Sequence, residues 1–274
     1  MSTLTASIVA YKNEAAILDA TIRSFLKGTT DARLFVVDNS PTDALRAVAT
    51  HDRVEYFFNN KNVGFGAGHN QILRSVIDAS TYHLVLNPDV YFDNLVMPEL
   101  TAYLEQNPDV GQVMPKVLYP DGKLQPLCKL LPTPKTLILR RFLAFLKKKL
   151  HSENFQYELH QFGYDRVLNV PFLSGCFMLL RTEALRKVGL FDERFFLYTE
   201  DTDLTRRIHK HYRTVFYPGV TIYHHHARGS YKHLWLTLYN MQSAYRYFNK
   251  WGWVVDTERE LFNRRTLNQY TTIL

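Results

Sequence analysis

Four short apolar runs stand in the first hundred residues, and each stops at a polar or turn-forming cluster before a helical or glycine-rich stretch takes over. Residues 4–10 (LTASIVA) predict a buried strand. Residues 14–27 place Ile17, Leu18, Ile22, Phe25 and Leu26 on one side of a helix that Gly28 ends. A second strand, Leu34–Val37, closes on Asp38-Asn39-Ser40-Pro41. Residues 54–58 (VEYFF) predict a third strand, and Gly64, Gly66 and Gly68 lead into a helix near 69–78. The run His83–Leu86 is a fourth strand, closing on Asn87-Pro88-Asp89. This alternation implies a mainly parallel sheet with helices on its faces. Ligands of such sheets bind beyond the carboxyl ends of the strands. Tyr11, Asp38 and Asp89 all stand at such ends.

The second half is less regular. Residues 95–106 read as a helix, while 122–169, with Pro126, Pro132 and Pro134, resist assignment. Residues 170–180 (VPFLSGCFMLL) predict one long apolar strand. A short helix over 182–188 is expected, with Thr182 as its cap. A helix from about Asp201 to His211 and a strand at Thr214–Tyr217 follow. Trp235, Leu238, Gln242, Tyr245 and Phe248 fall at helical spacing; core packing is the expected use of the aromatics Trp235, Tyr245 and Phe248, with contact to lipid or a second subunit as the alternative.

The 274 residues suffice for one α/β domain with an appendage. Their net charge of +7 is local: Gly122–Ser152 holds eight basic residues and no Asp or Glu. One basic appendage fits this better than a diffuse nucleic-acid surface, and reader motifs are absent, so no nucleic-acid partner is expected. Within that span, Leu137–Leu150 as a helix lines up Leu139, Phe142, Leu143, Leu146 and Leu150, with Arg140, Arg141, Lys147 and Lys148 largely opposite. Such a helix suits an anionic membrane surface, or equally packs on the domain. Cys128 and Cys176 imply no disulfide framework or close-spaced metal motif. No signal peptide or spanning segment is read, so a cytoplasmic location is expected.

Several stretches carry candidate chemistry, each with a plainer alternative. Asp89 after an apolar strand can hold a divalent cation that bridges phosphates, or Asn87-Pro88-Asp89 is a turn. Thr199-Glu200-Asp201, with Asp203, either caps a helix or supplies a base whose pKa its neighbours tune. In His224-His225-His226 the first and third share one side of an extended strand, as a metal ligand and its partner would; the alternative is a polar loop. The run Asn62–Asn70 (NVGFGAGHN) matches neither Walker A nor a dinucleotide fingerprint, and its glycines let backbone approach a ligand or simply turn.

Taken in order, SIVAYKNE (7–14), VVDNS (36–40), NVGFGAGHN (62–70), LNPDV (86–90), SGCFMLLR (174–181), GLFDERFFLYTEDTDL (189–204) and YHHHARGS (223–230) resemble family 2 nucleotide-sugar glycosyltransferases of GT-A fold. The match spans about residues 5–230, and it is most similar to bacterial rhamnosyltransferases of surface-polysaccharide (O-antigen) assembly. The resemblance implies an α/β, Rossmann-like GT-A domain over 1–230, with a nucleotide-binding half (1–110) and an acceptor and catalytic half (111–230). The latter carries the basic helical insertion 122–152, and a C-terminal helical extension covers 231–274.

It also implies roles. Tyr11 would stack on the nucleotide base and Asp38 would accept from its imide N–H. Asn62, Gly64, Asn70 and Asn87 would line the nucleotide-sugar site. Asp89 would ligate Mg or Mn, with His224 as the late histidine ligand and His226 as the runner-up. Asn87 stands where the family often has an acid, one charge fewer at the metal. Asp201 would be the catalytic base, with Glu200 beside it. The implied reaction is inverting transfer from dTDP-L-rhamnose, or from a UDP-hexose, to a lipid-linked saccharide at the inner membrane face. A non-catalytic nucleotide-sugar-binding scaffold is the remaining alternative.

Overall fold

The computed structural model describes residues 4–137, 153–225 and 234–271. Four strands open the chain: β1 (Leu4–Ala10), β2 (Arg33–Asp38), β3 (Val54–Phe58) and β4 (Tyr82–Leu86). They pair in parallel in the order β3-β2-β1-β4, as their alternation with helices requires. Helices α1 (Ala15–Lys27) and α2 (Phe65–Val76) cover opposite faces. Strand periodicity explains the division: Ala6, Ile8 and Ala10 pack with Leu18, Ile22 and Phe25 of α1, whereas Val9 packs with Phe35, Val37, Ile72 and Val76 on the α2 side. Gly28 ends α1, its N–H bonding to Ser24 O at 3.2 Å.

The sheet continues through β5 (Val90–Phe92), β6 (Val110–Leu118), β8 (Leu168–Asn169), β10 (Phe177–Arg181) and β11 (Arg213–His224). Its path is β3-β2-β1-β4-β10-β6-β11-β5, with β8 on β11. Strand β10 runs antiparallel between β4 and β6, so the sheet is mixed. A separate ribbon pairs β7 (Cys128–Lys129) with β9 (Phe172–Leu173). Helix α3 (Val96–Gln106) supports β6 and β11, and α4 (Thr182–Val188) and α5 (Glu200–His209) pack on the face that α2 occupies. Two helices, α6 (Leu234–Trp251) and α7 (Thr257–Thr271), complete the described chain.

Several local expectations are corrected. The apolar run 170–180 is two strands, because Ser174-Gly175-Cys176 leaves the ladder and bonds to the site described below. Strand β11 does not stop at Tyr217; a register shift between Tyr217 and Thr221 absorbs Pro218-Gly219 and pairing resumes to His224. Helix α2 starts at Phe65, four residues early, with two glycines inside it. Close packing outweighs their poor helix propensity: a Cβ on Gly66 would meet Phe191 at 2.9 Å, and one on Gly68 would meet Val9 at 2.7 Å. Thr182 is not the cap of α4; its hydroxyl donates to Ser80 O at 2.6 Å, and Arg181 holds the N-cap position. Trp235 and Tyr245 are exposed rather than packed in the core, while Phe248 is buried. Beyond Leu137, the basic stretch Leu137–Leu150 lies outside the described residues, as does His226.

The last two helices are fastened to α5 through Arg206. Its guanidinium, almost wholly buried, makes two bonds to Asp256 (2.7 and 2.6 Å), one to Glu258 (3.1 Å), and lies 4.0 Å from the Trp251 ring. Both cysteines are free and buried. Among the described residues no helix is long and apolar enough to cross a membrane.

Candidate active site

Parallel strands end together, so their terminal side chains meet along one edge of the sheet. The ends of β1, β2 and β4 bring Tyr11, Asp38 and Asn87-Pro88-Asp89 there. The end of β11 adds His224, which pairs with Val90 directly after Asp89. The start of α5 adds Glu200 and Asp201.

Asp201 and the Asn87–Asp89 turn are joined by one short piece of backbone. Gly175 N–H donates to Asp201 Oδ2 at 2.9 Å, and Cys176 O accepts from Asn87 N–H at 2.9 Å. A side chain on Gly175 would lie 3.1 Å from Asp201 Cβ, so glycine permits this approach. Thr202 N–H holds the other oxygen of Asp201 at 2.7 Å. Burial pushes the Asp201 carboxyl above the ordinary aspartate range, and the Gly175 and Thr202 N–H bonds hold it partly back. Burial first, and then the Asp201 charge, pushes Glu200 well above its ordinary value. The residues before this pair, Tyr198 and Thr199, both take left-handed backbone (φ 69° and 64°). Such strain persists only where neighbours enforce it; here Ser243 of α6 donates to Leu197 O and Asp203 N–H to Thr199 O.

Beside the turn, His224 Nε2 stands 3.3 Å from Asp89 Oδ1 and 3.3 Å from Asn87 Nδ2. Gln125 sets the ring. Its Nε2 donates to His224 O at 2.6 Å, so its Oε1, 3.0 Å from His224 Nδ1, must accept from that nitrogen. With Nδ1 carrying its hydrogen towards Gln125, Nε2 is the ring atom that faces Asp89. The Asn87 amide can donate to Nε2, and a ligating histidine is ordinarily fixed in this way through its other nitrogen. Among the described residues no three His, Cys, Asp or Glu side chains form a cation site by themselves. Two protein donors suit an ion that takes its remaining ligands from phosphates and water.

At the ends of β1 and β2, Tyr11 is exposed and Lys12, next to it, takes left-handed backbone (φ 55°). Asp38 is buried and accepts from Ser40 N–H at 2.8 Å and from the Tyr56 hydroxyl. Each oxygen retains lone-pair capacity for a further donor. Burial and the hydrogen bond to Asp38 raise the Tyr56 pKa, so the phenol stays protonated as donor. Asn39 links the loops: its Oδ1 accepts from Asn59 and its Nδ2 donates to Gly64 O. Asn62 is exposed and accepts Gly64 N–H at 3.0 Å.

Two expected ligand positions turn inward. The Asn70 amide is buried and spent on Phe191, donating to its O at 2.9 Å and accepting its N–H at 3.1 Å, with a further bond to Glu193. Gly64 (φ 92°) is approached by protein backbone, not by open space for a ligand: a Cβ there would lie 2.5 Å from Phe196 O. The glycine-rich run is therefore a packing device that docks α2 against residues 191–196. Sequence reasoning also missed Gln125, Tyr56 and Lys129. Gln125 lies in an unassigned stretch; Tyr56 reads only as a strand aromatic; the Lys129 charge lowers the Asp201 pKa from β7, where nothing in the chain order announces it.

The profile of the "Glycosyltransferase like family 2" matches residues 2–247. The chain belongs to that family. Its fold is GT-A: mannosyltransferase PcManGT from Pyrobaculum calidifontis, solved with GDP-Man and Mn2+, superposes with a TM-score of 0.56 at 15% identity, covering 99% of this chain and 82% of that one. S. aureus TarS 1–349 gives 0.59 at 14% identity, over 99% and 72%. Among curated relatives, the Mycobacterium tuberculosis N-acetylglucosaminyl-diphospho-decaprenol L-rhamnosyltransferase is 26% identical over 210 residues, 72% of this chain and 67% of that protein. The Haloferax volcanii low-salt glycan biosynthesis hexosyltransferase Agl10 is 28% identical over 204 residues, 73% and 59%. The chain thus spans some two thirds or less of these curated relatives. This family 2 glycosyltransferase has its acidic, histidine and glutamine side chains on the sheet edge where GT-A architecture opens.

Proposed function

We propose that the protein transfers a sugar from a nucleotide-sugar donor, dTDP-L-rhamnose in first place, to a hydroxyl of a lipid-linked saccharide, inverting the anomeric carbon. The observation that carries the reading is the Gly175-Cys176 bridge: it sets one carboxylate with raised pKa beside an Asp–His pair. The rhamnose preference is supported by the mycobacterial relative's activity, and a UDP-hexose is the competing donor.

In this reading Tyr11 stacks on the base and Asp38 accepts its imide N–H. Asp201 takes the proton from the acceptor hydroxyl as that oxygen bonds to the anomeric carbon. The bond from that carbon to the diphosphate breaks, and its electron pair leaves with the nucleotide. Asp89 and His224 would hold Mg or Mn, with Asn87 beside them, and the ion would supply positive charge against the departing diphosphate. Gln125 keeps His224 in the ligating tautomer. Burial raises Glu200 well above its ordinary value, whereas the Gly175 and Thr202 N–H bonds and the Lys129 charge oppose the rise at Asp201, which favours Asp201 as the base. Residues 1–230 form the transferase unit, with 231–274 as a helical extension. The protein works peripherally at the inner membrane face, where Leu137–Leu150 is one candidate contact.

The test is turnover of dTDP-rhamnose, UDP-glucose, UDP-galactose and UDP-N-acetylglucosamine with a lipid-diphosphate acceptor, each with Mn and with EDTA. Release of nucleoside diphosphate from dTDP-rhamnose in Mn alone is expected. Preference for a UDP-sugar overturns the donor assignment, and equal rates in EDTA overturn the metal. Donor binding without turnover in any combination supports the scaffold alternative.

A further inference from the structure

Helix α6 has two unlike faces. Its inner face buries Ser243, Tyr247 and Phe248 against Phe195, and Tyr239 lies 4.5 Å from the Phe196 ring. Its outer face leaves Trp235 72%, Leu238 45%, Met241 47% and Tyr245 59% exposed. At about 100° per residue these four fall within roughly a third of the helix circumference. The patch continues past the helix end: the Trp253 ring lies tilted against Tyr245 (5.8 Å), and Val254 is 85% exposed.

Large side chains aligned and uncovered on one face mark an interaction surface. Two features of the page select its occupant. Aromatic rings with polar tips alongside aliphatic groups suit the boundary between water and hydrocarbon. The helix brings no negative charge of its own: α6 holds Arg246 and Lys250 and no Asp or Glu, with Lys250 paired to Asp192 and Asp203 of the neighbouring elements. The basic segment 138–152, with Arg140, Arg141 and Lys147–Lys149, leaves the described chain at Leu137, which packs against the same Phe195–Tyr247–Phe248 cluster. The apolar stripe and the basic segment that departs from Leu137 together complement an anionic lipid surface, to which each nearby Lys or Arg adds attraction.

We propose that the outward face of α6, with Trp253 and Val254 at its foot, docks the protein on anionic lipid. The inner face of the same helix holds Leu197 O through Ser243, two residues before Thr199-Glu200-Asp201. Docking through α6 therefore brings the Asp201 side of the site to the membrane, where a lipid-borne acceptor lies; only this last step rests on the transferase reading.

The test uses the full chain and the variant Trp235→Ser/Leu238→Ser/Tyr245→Ser, which changes only exposed positions. Wild type is expected to sediment with vesicles containing phosphatidylglycerol, more than with pure phosphatidylcholine, and its tryptophan emission to shift to the blue. The triple variant is expected to melt like wild type and to bind those vesicles at least about tenfold more weakly, because three large side chains no longer leave water. Turnover of a water-soluble short-chain acceptor should be equal in both proteins. Failure of wild type to bind the anionic vesicles overturns the proposal, as does equal binding by the variant. A wild-type dimer that the substitutions convert to monomer, with vesicle binding unchanged, assigns the face to a second copy instead. Absence of turnover with every donor counts against the transferase reading, while the vesicle result still decides the docking surface.

Discussion

Asp201→Asn keeps the side chain's size and deletes its basicity. The remaining oxygen can keep the 2.7 Å bond from Thr202 N–H, which leaves the new NH2 facing Gly175 N–H where the carboxylate oxygen now sits at 2.9 Å. Two donors in opposition cost on the order of 1–3 kcal/mol. Removing a carboxylate that burial disfavours offsets part of this, and each net kcal/mol lowers Tm by roughly 2–4 °C in a chain of this size. The catalytic effect is larger. Loss of a general base costs about 100- to 10,000-fold, or ~3–5 kcal/mol of barrier at 1.36 per tenfold. The assay is nucleoside diphosphate release with saturating donor, Mn and acceptor, run well below Tm, with donor binding measured alongside. Binding should hold, since Asp201 lies outside the nucleotide end. The pH profile adds a second reading. The base acts deprotonated and its pKa is raised, so kcat/KM of wild type falls with decreasing pH through a value above the usual ~4 for aspartate. Residual activity of the variant should lack that limb. A folded Asp201→Asn protein within about threefold of wild type, where a lost base predicts at least a hundredfold, refutes the assignment.

Gln125→Ala should raise the Mn concentration for half-maximal activity about 10- to 100-fold, because His224 loses the partner that fixes its tautomer, and should cost about 1–3 kcal/mol of stability as the His224 carbonyl loses its buried donor; an unchanged Mn titration removes Gln125 from the metal's support. Gly64→Ala should cost at least ~1–3 kcal/mol from its φ alone, before the clash with Phe196 O, and a melting curve checks it. Arg206→Met should cost about 3–5 kcal/mol, since it strands Asp256 in the interior. Exposure of α6 and α7 to limited proteolysis should accompany the drop, and Arg206→Met/Asp256→Leu should recover part of it.

Much of the first hundred residues was legible in the chain. Alternating apolar runs and helices dictate a parallel sheet, and strand ends place Tyr11, Asp38 and Asp89 together without any knowledge of distance. The late His224 and the acidic start of α5 were readable as candidates. Their meeting was not, because it depends on β10 running antiparallel between β4 and β6, so that Gly175 and Cys176 reach Asp201 on one side and Asn87 on the other. The break in the run 170–180 has the same origin: its backbone groups bond to the site instead of the ladder.

Where a residue's place depends only on its local period or on its position at a strand end, the sequence by itself determined it: the α/β class, the edge where the strand ends meet, the acidic and histidine candidates and the helical spacing of α6. The tertiary structure alone decided what depends on a distant partner. It turned Asn70 and Gly64 from ligand contacts into packing against residues 191–196, made Gln125 the support of His224, and left Trp235 and Tyr245 uncovered. The physical reason is that hydrogen bonds and close contacts between residues about a hundred positions apart leave no periodic trace in the chain, whereas burial of one face of a strand or helix does.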